Sequence, residues 1–600
     1  MNNFEFFVLP FCVGVLLLLG FSIYKYVRWI KEFNKLQQKV ILKNILSWKF
    51  LPAIWEAIRE SLLHWHITKH NKLLGYMHRS LAFGWFLLIV VGAIQADKGF
   101  PDGHPFWVAI FYNFFVTEDN LEIFPKAVFY ANLMDALLIY VLSGLFLAMF
   151  KKVWSRPLGM KRTTKHHPID RITKLALWCI FPLRLLSEGV TSSIYHNGGF
   201  MIQALGNVLM AAGMDDSIFE YSCWTTYSLS LGVFFALMPF TRYMHIFTEP
   251  FLIYFRQLGV REATEQKTGY TMFELNACAR CGLCIDACPI NKELGITTIQ
   301  GVYMLQNIRN HDLTKKGDAM AENCLMCDRC VVECPVGIDL NAIRQQVRIK
   351  NKAQIDTSGN YDYLKSVHPF NAIGRVAYFG GCMSHLTPAI PQAMKQIFDA
   401  VGQRYWYMDE EASICCGKPL LQQGFNQQAT ELRRKNTEMI INSKANLLVT
   451  SCPICYQSFR KYYKLPIPVM HHTEYIAQLL NSGRLRLQQS DLKVTYHDPC
   501  ELGRGCGIYD EPRQLLQASA HLLPTKGERE QSLCCGFNLG NTVTTLEQQT
   551  LIRDAALNNL LEPQPDLIAT ACPMCKKAFT RAQPFPVKDI AEIVAAQIKS

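Results

Sequence analysis

Nineteen of the 22 cysteines lie between Cys278 and Cys575, and their spacing repeats. Two runs share one pattern, Cys278-x2-Cys281-x2-Cys284-x3-Cys288-Pro289 and Cys324-x2-Cys327-x2-Cys330-x3-Cys334-Pro335. In a two-cluster ferredoxin, three closely spaced thiolates wrap one face of a 4Fe–4S cube and the distant fourth cysteine reaches the other cube. The pattern therefore assigns Cys278, Cys281, Cys284 and Cys334 to one cubane cluster, and Cys288, Cys324, Cys327 and Cys330 to the other. Tetrahedral zinc also uses CxxC pairs, but eight ligands in duplicated order with trailing prolines speak for iron. A small disulfide scaffold is excluded by the 600-residue length and by these tight spacings.

The remaining cysteines form an internal repeat. Its first copy is Cys382-x32-Cys415-Cys416-Gly417-x34-Cys452-Pro453-x-Cys455, and its second is Cys500-x33-Cys534-Cys535-Gly536-x35-Cys572-Pro573-x-Cys575. Most of these groups follow or end a short strand-like run (RVAYFGGC, NLLVTSCPIC, LKVTYHDPC, DLIATACPMC), with helical stretches between. An α/β fold is expected, its thiolates converging at strand ends where open sheets bind ligands. Cys506 lies outside the pattern and reads as a plain buried thiol, and His497 and Asp498 read as strand-end hydrogen-bonding residues. The repeat resembles the CCG domains of the catalytic subunit of heterodisulfide reductase. The resemblance implies that five cysteines in each copy hold a noncubane 4Fe–4S cluster. Those would be Cys382, Cys415, Cys416, Cys452 and Cys455 in one, and Cys500, Cys534, Cys535, Cys572 and Cys575 in the other. Copy two departs from many relatives at CCGFNLGN, where they carry a glycine run. The helical stretch TTIQGVYMLQNIRN between the cubane motifs resembles the helical ferredoxin of succinate dehydrogenase-type subunits.

The elements before these motifs are of another kind. Half the chain is hydrophobic and only 18% is charged, which excludes a disordered protein. Five apolar runs, at about 4–26, 73–96, 126–150, 172–195 and 221–245, are long enough to cross a hydrocarbon core of ~30 Å as helices. The loop after the first run carries Lys31, Lys35, Lys39, Lys43, Lys49, Arg59 and Lys69. The loop after the third carries Lys151, Lys152, Arg156, Lys161, Arg162, Lys165 and Arg171, whereas the other two loops are nearly free of Lys and Arg. Basic loops stay cytoplasmic, which places the amino terminus outside and the cysteine-rich half inside a bacterial cytoplasmic membrane. The start MNNFEFFVLP lacks a basic region and a small-residue cleavage site, so the first run is expected to be retained. The net charge of +12 (61 − 49) comes partly from these inner loops, and no nucleic-acid motif accompanies it.

Ionisable groups at membrane depth are usually functional. His78, at the inner end of the second run, and His245, at the inner end of the fifth, sit at similar depth and can ligate a haem iron from both sides. The alternative is that each imidazole snorkels to the interface. His64, His66, His70, His166 and His167 are expected to be solvated in inner loops, and His104 and His196 lie on the outer side without a clear partner. The stretch PFTRYMHIFTEP carries a resemblance, over about 75–255, to the cytochrome b subunit of respiratory nitrate reductase. That family holds two haems between its second and fifth helices. At the positions matching the outer haem's ligands this chain has Leu88 and Tyr227, so the resemblance implies one haem b, near the cytoplasmic face.

The expected organisation is multidomain. A transmembrane all-α cytochrome b domain (1–255) precedes a helical two-cluster ferredoxin domain (265–350), a polar linker (351–370) and CCG domains at 371–485 and 486–600. No GxGxxG or P-loop fingerprint occurs, so flavin or nicotinamide chemistry must come from a partner. The whole resembles fused membrane oxidoreductases that take electrons from electron-transfer flavoprotein or a flavin dehydrogenase and reduce quinone. The CCG clusters would receive electrons, the ferredoxin pair would relay them and the haem would deliver them. Alternatives are a heterodisulfide-type reductase fed by quinol, and a wiring subunit of a larger complex. Arg79, Asp135 and Arg242 are the polar candidates for a quinone pocket, and no catalytic residue is assigned.

Overall fold

The computed structural model describes residues 5–116, 124, 126–153, 167–261, 268–309, 315–352, 375–411, 414–582 and 584–599. Most of the expected linker (353–370), together with Arg156, Lys161, Arg162, Lys165 and His166, lies outside these residues. The chain divides into two compact units. The first is Met1–Glu262 with Thr268–Gly282 and Pro335–Ile338, and the second is Ala263–Lys267, Leu283–Cys334 and Asp339–Ser600.

The first unit is helical. Its long helices are α1 (Leu9–Lys31), α3 (Lys72–Gly99), α4 (Ala127–Val153), α5 (Pro168–Tyr195) and α6 (Ser217–Leu237). All five are long and apolar enough to span a membrane. Phe7, Phe11, Leu88, Phe111, Trp224 and Phe234 are buried together at the centre of the bundle. Helices α1 and α6 approach closely because both are glycine at the crossing: a Cβ on Gly14 would stand 2.6 Å from the Gly232 carbonyl oxygen. The expected loop after α1 is itself helical, with α2 (Phe50–Ser61) flanked by helices over Lys35–Asn44 and Trp65–His70.

The fifth span ends earlier than the apolar run predicts. Helix α6 stops at Leu237, and two 3-10 turns, Met238–Phe240 and Arg242–Met244, lead to α7 (His245–Gln257). Pro239 explains the break, since it has no N–H to continue the ladder and its ring crowds the preceding turn. His245 is thus the first residue of a new helix rather than the last of the span. Helix α8 (Gly269–Ala277) ends at Cys278 and leads the first cubane motif.

In the second unit, a helix over Gly301–Arg309 separates the two cubane motifs, and α9 (Leu340–Lys352) follows them. Arg348 on α9 is fully buried and donates to five carbonyls: Ala321 (2.8 Å), Glu322 (2.8 Å), Cys324 (3.3 Å), Gln422 (2.6 Å) and Gly540 (2.8 Å). One guanidinium thereby fastens the ferredoxin region to both copies of the repeat, filling its fork of donors. Each copy is a four-stranded parallel sheet. The strands are β1 (Val376–Phe379), β2 (Tyr405–Tyr407), β3 (Leu447–Thr450) and β4 (Val469–His471), then β5 (Lys493–His497), β6 (His521–Leu523), β7 (Leu567–Thr570) and β8 (Val587–Asp589). The orders are β2-β1-β3-β4 and β6-β5-β7-β8, so the repeat in sequence is a repeat in topology.

Candidate electron-transfer centres

The order of each sheet reverses between β1 and β3, and between β5 and β7, which is where open parallel sheets bind ligands at their carboxyl ends. Cys382 follows β1, and Cys452 and Cys455 follow β3 at the start of a helix over Pro453–Tyr462. Gly381, at φ +86°, brings the chain in so closely that a Cβ there would stand 3.1 Å from the Cys455 sulfur. Cys415 and Cys416 arrive from the other side on a loop turned by Gly417 at φ +77°, a conformation glycine adopts without strain. Hydrogen bonds from Cys415 and then Cys455 hold the Cys416 thiol well below its ordinary pKa. In copy two, Cys500, Cys534, Cys535, Cys572 and Cys575 recur at the same places, and the Cys575 and Cys535 sulfurs are 3.4 Å apart. Hydrogen bonds from Cys534 and Cys575 hold Cys535 well below its ordinary value. A thiol held low is ready to ligate iron as thiolate.

The copies differ in access. Cys382 is exposed, whereas in copy two four cysteines are buried and Cys500 is half-buried. Copy two instead faces the ferredoxin region, where Cys327, Cys534, Cys288 and Cys500 share one packed cluster with Ile290 and Ile299. The Cys534 thiol hydrogen-bonds Cys327 and lowers the Cys327 pKa to about 6. Cys288, Cys324, Cys327 and Cys330 line a single small cavity, which Cys284 also touches. Burial raises Cys288 to about 11. Cys278 and Cys281 belong to the first unit, and Cys284 and Cys334 to the second. No disulfide occurs among the described residues, and no three His, Cys, Asp or Glu side chains among them close tightly enough for a single metal ion.

Cys506, outside the repeat pattern, is half-buried by exposure, and burial of its thiol raises its pKa to about 12. The strand-end pair behaves as expected: Asp498 receives two bonds of 2.7 Å from Arg513, and the His497 ring nitrogen Nε2 lies 3.2 Å from the Leu533 carbonyl.

The first unit encloses a cavity of about 1770 Å³ lined by His78, His245, Arg242, Arg171 and Lys174. His78 Nε2 is buried without a hydrogen-bond partner. The His245 Nδ1 lies 2.7 Å from the Arg242 carbonyl, the kind of outer hydrogen bond that fixes the tautomer of a metal-ligating imidazole. Two imidazoles so presented, with cations on the wall for propionates, fit a b-type haem. The loop of the first cubane motif forms part of the same wall through Ala279, Arg280 and Cys281. Arg280, at φ +56°, is held by a buried ion pair of 2.7 Å to Asp170, whose other oxygen accepts the Arg242 N–H at 2.9 Å.

Farther along the bundle, where the nitrate reductase likeness would place the outer haem, Leu88 and Tyr227 are both buried. Tyr227 packs on Phe111 and Trp224, and Arg184 bonds Glu188 at 2.9 Å and also the Tyr227 side chain. Of the polar candidates for a quinone pocket, only Arg242 lines the cavity. Asp135 instead receives the N–H groups of Met201 (2.6 Å) and Ile202 (3.0 Å), capping the helix Phe200–Ala211. His64 corrects a sequence expectation: it is buried, not solvated, with its ring 5.4 Å from that of His78. Burial lowers its pKa to about 4. Glu249, one helical turn after His245, also lines the cavity and was invisible in sequence, where it reads as one acidic residue after an apolar run.

Tandem cysteine crevices, a duplicated cubane motif and five helices of membrane-spanning length together define an iron–sulfur oxidoreductase. Comparison with known proteins agrees. The cysteine-rich CCG domain matches residues 376–460 and 494–580, and the 4Fe-4S dicluster domain matches 274–338. The EtfAB:quinone oxidoreductase of Syntrophomonas wolfei is 21% identical, covering 97% of this chain and 95% of its own. One component of the dihydromethanophenazine:CoB–CoM heterodisulfide reductase of Methanosarcina barkeri is 25% identical over 55% of this chain and 96% of its own. A probable membrane-anchored ferredoxin of Chromohalobacter salexigens is 32% identical over 28% of this chain and 27% of its own.

Proposed function

We propose that this chain carries electrons from a reduced flavoprotein, electron-transfer flavoprotein or a flavin dehydrogenase, to the quinone pool of a bacterial cytoplasmic membrane. The observation that carries the reading is the shared cavity, whose wall combines His78 and His245 with the Cys281 loop of the first cubane motif. The similarity to an EtfAB:quinone oxidoreductase along nearly the whole chain supports the same direction.

In this reading Cys278, Cys281, Cys284 and Cys334 hold one cubane cluster, and Cys288, Cys324, Cys327 and Cys330 the other. The two five-cysteine sets hold noncubane clusters, and His78 and His245 hold one haem b. When bound, these groups exchange single electrons. The protein supplies their ligands, their order and their burial. Exposed Cys382 makes copy one the face that a soluble donor meets, while the Cys534–Cys327 contact makes copy two the link to the ferredoxin region. The basic inner loops favour an amino terminus outside and iron–sulfur domains inside.

A heterodisulfide-type reductase is the second reading, favoured by the likeness of the cysteine-rich half to the Methanosarcina barkeri heterodisulfide reductase component. Purified full-length chain mixed with reduced electron-transfer flavoprotein and a short-chain quinone decides between them. Quinol formation that Cys327→Ser abolishes is the expected result. Turnover of a disulfide with quinol, and none of quinone with flavoprotein, would favour the second reading.

A further inference from the structure

A cavity that encloses one drug-sized ligand measures about 300–1,000 Å³. The cavity of the first unit, at about 1770 Å³, has room for a second occupant beside a porphyrin. Its two walls differ. One carries the imidazoles and cations, while α2 and α7 supply an apolar, aromatic wall that includes Phe50, Ile54, Pro250, Phe251 and Tyr254. Only a few polar groups interrupt that second wall. Ser61 Oγ is buried with no hydrogen-bond partner. Glu249 is 5% exposed and lines the same wall. An apolar slot with a small number of polar groups is how proteins orient a largely apolar ring that bears oxygens.

Helix α2 also presents Leu51 (61% exposed) and Trp55 (59%) outside the cavity lining, in a unit with five helices of spanning length. An amphipathic helix of this kind lies in the membrane interface.

Resting on the quinone reading above, we propose that the α2–α7 wall binds the quinone ring and that Glu249 delivers a proton to its near oxygen. One quinone takes two electrons from the reduced iron–sulfur chain and two protons. For the first proton the Glu249 O–H bond breaks, an O–H bond forms on the near quinone oxygen, and the carboxylate is reprotonated from solvent. Ser61 hydrogen-bonds the far oxygen and passes it the second proton, its hydroxyl giving up one proton and taking another from solvent. The charged surroundings suit the task. Glu60 on α2 is already bonded to Arg59 and to the His66 N–H, Arg256 on α7 donates to the Val336 carbonyl, and α8 contributes buried Glu274. Burial, with Glu60 nearby, raises the Glu249 pKa to about 8 against the pull of Arg256, so the group carries its proton at neutral pH.

The test uses full-length protein reduced with dithionite, freed of excess reductant by anaerobic gel filtration and then mixed with a short-chain benzoquinone, so that no flavoprotein is needed and the protein is the sole electron source. Wild type is expected to form quinol at a rate that falls as pH rises above about 8, as Glu249 ionises. Glu249→Gln should slow it about 100-fold and remove that pH limb. Glu249→Asp should restore part of the rate, and Ser61→Ala should weaken quinone binding, read by tryptophan quenching. Unchanged rate and pH profile in Glu249→Gln overturns the proposal, as does a dithionite-reduced wild type that never reduces quinone. Quinol formed by dithionite-reduced protein but not from reduced flavoprotein overturns the donor assignment alone and supports this site.

Discussion

The residues that set the chemistry divide into those whose role is local and those whose role is made by the fold. The cysteine motifs are local: CxxC, CCG and CPxC each bring two thiols together within a few residues, so sequence exposes them directly, whereas each proposed set is completed only by chain far away in sequence. His78 and His245 are intermediate, since their matched depth is legible but their shared cavity is not. His64 and Glu249 were illegible, because their burial depends on how α2 and α7 pack around the cavity, and neither a lone histidine in a loop nor one acidic residue after an apolar run gives a sign of that. A residue-scale prediction follows from the orphaned His78 Nε2. His78→Ala should abolish the bis-imidazole absorption spectrum while leaving the iron–sulfur electron paramagnetic resonance signals in place; an unchanged haem spectrum would exclude His78 as a ligand.

Among elements, the strands were visible as short apolar runs ending in cysteine, and all four quoted runs became central or adjacent parallel strands, β1, β3, β5 and β7. Periodicity overran the last membrane helix because Phe240, Tyr243 and Met244 extend its apolar composition past Pro239, where backbone chemistry ends the helix. The consequence is that His245 starts α7, where its neighbour one turn on is Glu249. The start of α5 holds the cubane loop in place through Asp170, which pairs with Arg280 and caps the Arg242 N–H. Breaking a buried pair strands the remaining charge at a cost of about 3–5 kcal/mol. Asp170→Ala should therefore lower the thermal midpoint of the first unit and loosen the Arg280 loop, measured by calorimetry and by proteolysis near residue 280. A midpoint equal to wild type would show that the pair does not hold this loop.

For the whole molecule, the division into a membrane-type helical unit and a cysteine-rich unit was clear from composition, since only three of the 22 cysteines precede residue 278. The internal ordering of centres was not. It depends on long-range contacts such as Cys534 with Cys327, separated by about 200 positions, and on the exposure of Cys382. Those contacts make the two CCG copies unequal despite equal sets of five cysteines, one copy open to solvent and the other turned toward the ferredoxin region. The central claim is that one polypeptide holds four iron–sulfur clusters and a single haem b. Iron and pyridine haemochrome assays on the anaerobically purified full chain test it most directly. The account predicts about 17 irons per chain with one haem; two haems, no haem, or an iron content near about 9, which would leave both CCG sites without clusters, would contradict it.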